Sequence, residues 1–339
     1  MKKGIQCFLS LLMISTLIAC QSQEVKKEEP VEEEQVEVVE PEVVKQSLTL
    51  SFIGDVTLGN YAGQGYSGSF DAEYENRGKN ANYFFKNVKS IFEKDDLTIA
   101  NLEGPLTTAD PHPDKTFAFK GKPEYVNILT SGNIDVVTLA NNHSADRYEK
   151  GMKDTKKVLD ENNIGHFGYD ENYIAEVNGV KIGFLGYAFP QSFSDNMKKA
   201  IQSLDKNTDI IVVYYHWGIE RDYAPMASQR KIAKSTIDAG ADLVIGSHPH
   251  VLQGIETYKG KNIVYSLGNF CFGGNKNPSD KDTAIYQHTF DLEDKVIVNE
   301  SSHIIPCRLS SQTSRNNYQP TIVDGSTADR VLKKIGTVK

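Results

Sequence analysis

Residues 242–251 read DLVIGSHPHV. Leu243 to Ile245 is a short aliphatic run of strand length, and it ends in Gly246-Ser247-His248-Pro249-His250. Two histidines two residues apart, on a loop stiffened by proline, are a pair suited to holding a metal ion. Upstream, Ala227 to Ala239 has helical spacing and is stopped by Gly240. Helix, strand and a loop of metal-type residues at the strand's carboxyl end form a unit of α/β architecture.

The same unit recurs along the chain. Leu48 to Ile53 reads as a strand ending at Gly54-Asp55, and Leu97 to Ala100 as one ending at Asn101-Leu102-Glu103-Gly104. Ile134 to Ala140 is followed by Asn141-Asn142-His143, and Asp209 to Tyr215 by His216-Trp217-Gly218. Between them, Ala81 to Lys94, Pro123 to Leu129, Tyr148 to Asn162 and Ser194 to Leu204 have helical periodicity. Asn178-Gly179 and Lys259-Gly260 each divide two apolar runs and predict hairpins. Alternating strands and helices with hairpins added late predict a layered α/β sandwich.

Parallel strands would gather Asp55, Asn101, Glu103, Asn142, His143, His216, His248 and His250 along one sheet edge, although they are far apart in sequence. Carboxylates, an asparagine and several imidazoles suit manganese, iron or zinc. Two such ions about 4 Å apart could clamp an oxyanion and generate hydroxide. His112, His166, His288 and His303 lack such company and read as structural or exposed; His112 lies in a long loop that could overhang the crevice. The glycine-rich stretches 59–68 and 268–274 lack the ending of a phosphate-binding P-loop, and no Gly-x-Ser-x-Gly elbow occurs.

The N-terminus predicts export. Lys2 and Lys3 precede an apolar run from Cys7 to Ile18, too short to span a membrane comfortably. It ends in Leu17-Ile18-Ala19-Cys20, which resembles the lipobox of bacterial lipoproteins. That resemblance implies cleavage after residue 19, acylation of Cys20 and tethering to the extracytoplasmic face of the cell membrane. Gln21 to Ser47 holds nine Glu and three Lys with no glycine or aromatic residue, the composition of a solvated spacer. With −8 on the whole chain, −6 in the spacer and +2 from Lys2 and Lys3, the chain from Leu48 onward carries −4. No basic patch points to nucleic acid. Cys271 and Cys307 could pair outside the cytoplasm.

Six motifs in order resemble the CapA family of poly-γ-glutamate capsule biosynthesis proteins. They are Phe52-Ile53-Gly54-Asp55, Asn101-Leu102-Glu103-Gly104-Pro105, Ala140-Asn141-Asn142-His143, His216-Trp217-Gly218, Gly246-Ser247-His248-Pro249-His250-Val251 and Ser266-Leu267-Gly268-Asn269-Phe270. The resemblance implies a four-layered α/β/β/α sandwich of the calcineurin-like metallophosphoesterase type over 48–305, with 306–339 as a C-terminal extension. It implies Asp55, Glu103, Asn142, His216, His248 and His250 as metal ligands, and His143 as general acid. Asn101, Asn141 and Asn269 are expected to bind alongside them. Thr57 stands where such enzymes carry a second-position histidine, and the bridging aspartate of the second motif is absent. Two functions follow. One is a metal-dependent hydrolase or transferase acting on an acidic polymer such as poly-γ-glutamate. The other is a non-catalytic subunit that binds the polymer or membrane partners of its synthase.

Overall fold

Two β-sheets lie face to face, as seen in a computed structural model that describes residues 43–338. The expected signal segment 1–19, Cys20 and the spacer up to residue 42 lie outside the described residues. The first sheet has eight strands. Its order is Thr321–Ile322, Val296–Arg308, Asp282–Glu293, Lys45–Thr57, Leu97–Leu102, Val136–Thr138 and Gly165–Phe167, with Asn269–Phe272 paired to the end of Lys45–Thr57. The second sheet runs Leu252–Tyr258, Lys261–Leu267, Leu243–Ser247, Ile210–His216, Val180–Ala188 and Tyr173–Val177. Both turn dipeptides close antiparallel hairpins as expected, with positive φ at Asn178 and Gly179 and at Lys259 and Gly260.

Three apolar clusters define four layers. Between the sheets, Leu50, Phe52, Ile99 and Val136 of the first meet Ile182, Phe184, Val212, Tyr214 and Ile245 of the second. Outside the first sheet, Phe70, Phe84, Phe85, Tyr125 and Leu159 bring helices down on it. Outside the second, Met197, Ile201, Ile232 and Ala233 do the same from helices Asp195–Asp205 and Ala227–Asp238. Each fully buried aliphatic or aromatic side chain contributes roughly 1.5–3 kcal/mol, so the central strands are buried on both faces and read as continuous apolar runs. This is the α/β/β/α sandwich, with mixed parallel and antiparallel strands.

Some boundaries differ from the sequence reading. The first strand begins at Lys45, three residues inside the expected spacer, because residues 45–47 pair with Asp291–Glu293. The expected helix 81–94 is two short helices, Asn82–Phe85 and Lys89–Phe92. The expected C-terminal extension packs into the fold over its described residues: strand Val296–Arg308 crosses the boundary at 306, and helix Gly325–Ile335 buries Val331 and Ile335 in the cluster between the sheets. Cys271 and Cys307 are buried free thiols.

The register sets the site. Lys45–Thr57 and Leu97–Leu102 run parallel with Asp55 opposite Asn101, and Asn101 in turn opposite Thr138. In the second sheet Ser247 lies opposite His216. Gly54 is needed here: a Cβ would stand 1.8 Å from the Gly268 carbonyl oxygen, which accepts a 2.9 Å hydrogen bond from the Asp55 N–H.

Candidate metal centre

The carboxyl ends of the strands converge on Glu103. Its side chain is wholly buried, and Oε1 has no hydrogen-bond partner. Around that oxygen stand His216 Nε2 at 3.7 Å, His250 Nε2 at 3.9 Å and His143 Nε2 at 3.9 Å. These gaps are too long for hydrogen bonds. Two ligands of one ion, each about 2.1 Å from it, lie roughly 3–4 Å apart. The other oxygen, Oε2, accepts from the Thr57 hydroxyl at 3.2 Å.

Asp55 is the second buried carboxylate. Its Oδ1 accepts from Asn101 Nδ2 at 2.7 Å, and His250 Nδ1 lies 3.1 Å from Oδ2. His216 Nε2 is 2.7 Å from Asn142 Oδ1 and 3.1 Å from His248 Nδ1. Asp55, Glu103 and His250 form one group whose ligand atoms lie within 4.8 Å of one another. Glu220, His248 and His250 form a second. His248 and His250 are held at φ of 95° and 56°, so the loop around Pro249 keeps both in a conformation that side-chain-bearing residues seldom adopt.

Burial and neighbours oppose each other here. Burial raises the Asp55 carboxyl, but the His250 hydrogen bond and the nearby His250 and His216 rings bring it down to about 2. Burial, assisted by the Asp55 charge, lifts Glu103 to about 7. Burial disfavours charge on His250, yet Glu103 and Asp55 raise it to about 10. Burial lowers His248 to about 4, with His250 adding to the effect, and puts His216 well below its ordinary range. Two neutral imidazoles and two carboxylates beside one held proton make a donor set ready for a cation. The residues therefore fit a divalent ion.

Around this cluster sits a layer of hydrogen bonds. Asn141 donates to Asn101 Oδ1 and to the Leu102 carbonyl, each at 2.9 Å, while its own Oδ1 accepts from the His143 N–H. Asn269 Oδ1 is 2.8 Å from His250 Nδ1. Asn101, Asn141 and Asn269 thus each hydrogen-bond another residue of the cluster, and Asn269 also lines the cleft. His143 Nδ1 lies 2.8 Å from Asp146 Oδ2, which leaves Nε2 facing Glu103. Asp146 also pairs with Lys115. Phe189 packs edge-on to His248, ring centroids 4.5 Å apart.

The sequence reading brought Asp55, Glu103, Asn142, His143, His216, His248 and His250 together, and the structure places all seven there. It missed Glu220, Asp146, Lys115 and Phe189. Glu220 follows His216-Trp217-Gly218-Ile219 and Asp146 lies three residues after His143, so both were close to recognised motifs. Lys115 and Phe189 carried no local signal. From the long loop it is Lys115 and Phe117, not His112, that reach the cleft: the His112 ring turns to the Pro113 carbonyl. A cavity of about 580 Å³ opens over His143 and His250, lined also by Phe119, Phe272, Glu220 and Arg221.

Two packed sheets with imidazoles and carboxylates at their carboxyl edge define a protein with a metallophosphoesterase-like α/β fold. Residues 49–274 match the family described as bacterial capsule synthesis protein PGA_cap. The chain belongs to that family. It is 33% identical over 273 residues to the capsule biosynthesis protein CapA of Bacillus anthracis, covering 72% of this chain and 64% of that protein. It is 35% identical over 250 residues to the PGA biosynthesis protein CapA of Bacillus subtilis (strain 168), covering 66% of this chain and 63% of that one. The matched region thus spans a little under two thirds of these relatives. A hypothetical protein from Thermus thermophilus superposes with a TM-score of 0.45 at 16% identity, covering 76% of this chain and 99% of that one.

Proposed function

We propose that this protein acts in the synthesis or export of an extracytoplasmic acidic polymer, poly-γ-glutamate, as a metal-dependent hydrolase or transferase. It is held at the cell membrane by lipid on Cys20 and works beside membrane subunits of the polymer synthase. The observation that carries the metal-site reading is the unpartnered, buried Oε1 of Glu103 among three imidazoles. The names of the CapA relatives support the polymer.

Asp55, Glu103, Asn142, His216, His248 and His250 would hold one or two divalent ions, manganese, iron or zinc. A bound ion supplies Lewis acidity toward a carbonyl or phosphoryl oxygen and lowers the pKa of water. The chain's own groups do the rest. Asp146 accepts from His143 Nδ1, fixing the ring so that Nε2 can hand a proton to a leaving group in the cleft. Phe119 packs on His143 and Phe189 on His248, each with ring centroids 4.5 Å apart, so each imidazole has an aromatic neighbour that fixes its place. Asn101 and Asn269 keep Asp55 and His250 in position.

The test is metal content by elemental mass spectrometry on the full chain in detergent, beside His248→Ala/His250→Ala. One or two equivalents of manganese, iron or zinc, absent from the double variant, support the reading. A folded wild type still empty after soaking in metal sinks it. Thr57, bonded to Glu103 where related enzymes carry a ligand histidine, favours a second reading: a non-catalytic polymer-binding subunit of the synthase or export complex.

A further inference from the structure

A second cavity, of about 430 Å³, opens beside the metal cleft, and Tyr223, Ser279 and Asp280 line both. Its chemistry is different. It has no imidazole in its wall, and four cations converge on it: Lys281, Arg308, Arg330 and Lys334. Two of these are already committed. Arg330 forks onto Asp282 with two 2.8 Å hydrogen bonds, and Lys334 Nζ reaches Asp280 and Asp282 at 2.7 Å each. Tyr223 donates a further 2.8 Å hydrogen bond to Asp280. Both carboxylates are thereby covered.

Lys281 and Arg308 remain. Among the described residues neither has a carboxylate within ion-pair distance, and the Lys281 ammonium donates to the Pro278 carbonyl at 2.9 Å. Arg308 stands opposite Asp282 in the sheet, one residue from Lys281, and both cations line the same wall; burial first and then repulsion from Arg308 push Lys281 below the usual lysine range, against the opposing pull of Asp280. An anion between them would relieve that repulsion. Thr313 adds a hydroxyl to the wall. The C-terminal helix Gly325–Ile335 supplies the two cations that neutralise the acids, leaving the other pair free to act on a ligand.

We propose that this cavity is an anion subsite that takes a pendant carboxylate of an acidic peptide chain lying across Tyr223, with another unit of the same chain at the imidazole–carboxylate cluster. The inference rests on the reading of the cleft as a site for an acidic polymer. A chain with one carboxylate per residue would meet the metal-type cluster at one unit and Lys281 and Arg308 further along. The subsite would thus select for length and charge without touching the reacting bond.

The experiment is calorimetric titration of the full chain in detergent, with chelator present, against hexa-γ-glutamate, hexa-α-glutamate and citrate at low and moderate salt. The wild type is compared with Arg308→Gln/Lys281→Gln and with each single variant; circular dichroism checks that each is folded. Expected is hexa-γ-glutamate affinity lower on the order of tenfold in the double variant, with a shallower salt dependence. Equal affinity in the folded variants overturns the subsite. Citrate or α-linked binding that is lost in the double variant, with no γ-linked binding by the wild type, keeps the anion subsite and overturns the polymer reading. No binding of any of the three anions by the wild type at low salt overturns the subsite itself.

Discussion

Replacing Glu103 with Gln is expected to stabilise the metal-free protein while removing its response to metal. The Glu103 carboxylate is wholly buried and one oxygen is unpartnered, so in the absence of a cation its charge is a cost to the fold. Burial and Asp55 raise its pKa from 4.5 to about 7. The folded state therefore holds the proton more tightly than the unfolded state does. Below pH 4.5 the side chain is neutral in both states and the substitution changes little. Between pH 4.5 and 7 the cost of ionisation grows by about 1.4 kcal/mol per pH unit, and above pH 7 it levels at about 3 kcal/mol. A neutral amide avoids most of this, so Glu103→Gln should gain about 2–3 kcal/mol at pH 8. That corresponds to a rise in Tm of roughly 4–8 °C. Added metal should cancel the difference at a hundred times its Kd, where it adds about 2.7 kcal/mol to the wild type alone, and reverse the order at a thousand times, where it adds about 4.1 kcal/mol. The assay is thermal unfolding in chelator and in manganese or zinc, at pH 4.5 and pH 8. A Glu103→Gln protein less stable than wild type in chelator at pH 8, or equally stabilised by metal, would refute the reasoning.

Metal binding must displace the proton held on His250, and below pH 7 also the one on Glu103, so apparent affinity should rise from pH 5 to pH 8; calorimetry at pH 8 in buffers of different ionisation enthalpy should show about one proton released per ion. Asp146→Asn should disturb the His143 ring, seen as altered imidazole nitrogen shifts by NMR, and lower any turnover about 10–100-fold with the metal content intact. Tyr214→Phe removes the 3.0 Å hydrogen bond from one sheet to the Ile53 carbonyl of the other and should cost about 1–3 kcal/mol in denaturant titration. Ending the chain after Val323 strips Val331 and Ile335 from the core between the sheets; a loss of at least about 3 kcal/mol is expected, and an unchanged unfolding midpoint would contradict the packing described.

Much of this protein was written locally. Strands such as Ile210–His216 and Leu243–Ser247 are buried on both faces, so their apolar runs could be read without knowing their neighbours. The hairpins at Asn178-Gly179 and Lys259-Gly260 follow from residues that tolerate positive φ. The seven cluster residues were legible because each sits at or just past the carboxyl end of an apolar strand, and parallel register carries those ends to one edge.

Only the tertiary structure decided the rest. The first strand starts at Lys45 because Glu293 and its neighbours stand ready to pair with a segment whose composition alone reads as spacer. The C-terminal helix is polar enough to look like an appendage, yet two of its side chains, Val331 and Ile335, complete the core between the sheets. That Asn101, Asn141 and Asn269 hydrogen-bond Asp55, His143 and His250 could not be read from the sequence, since a side chain's hydrogen-bond partner is a property of the assembled site. The state of Glu103 is the clearest case. A glutamate's sequence neighbours cannot say that its oxygen will lie wholly buried among three rings; that placement comes from strands that meet only when both sheets close.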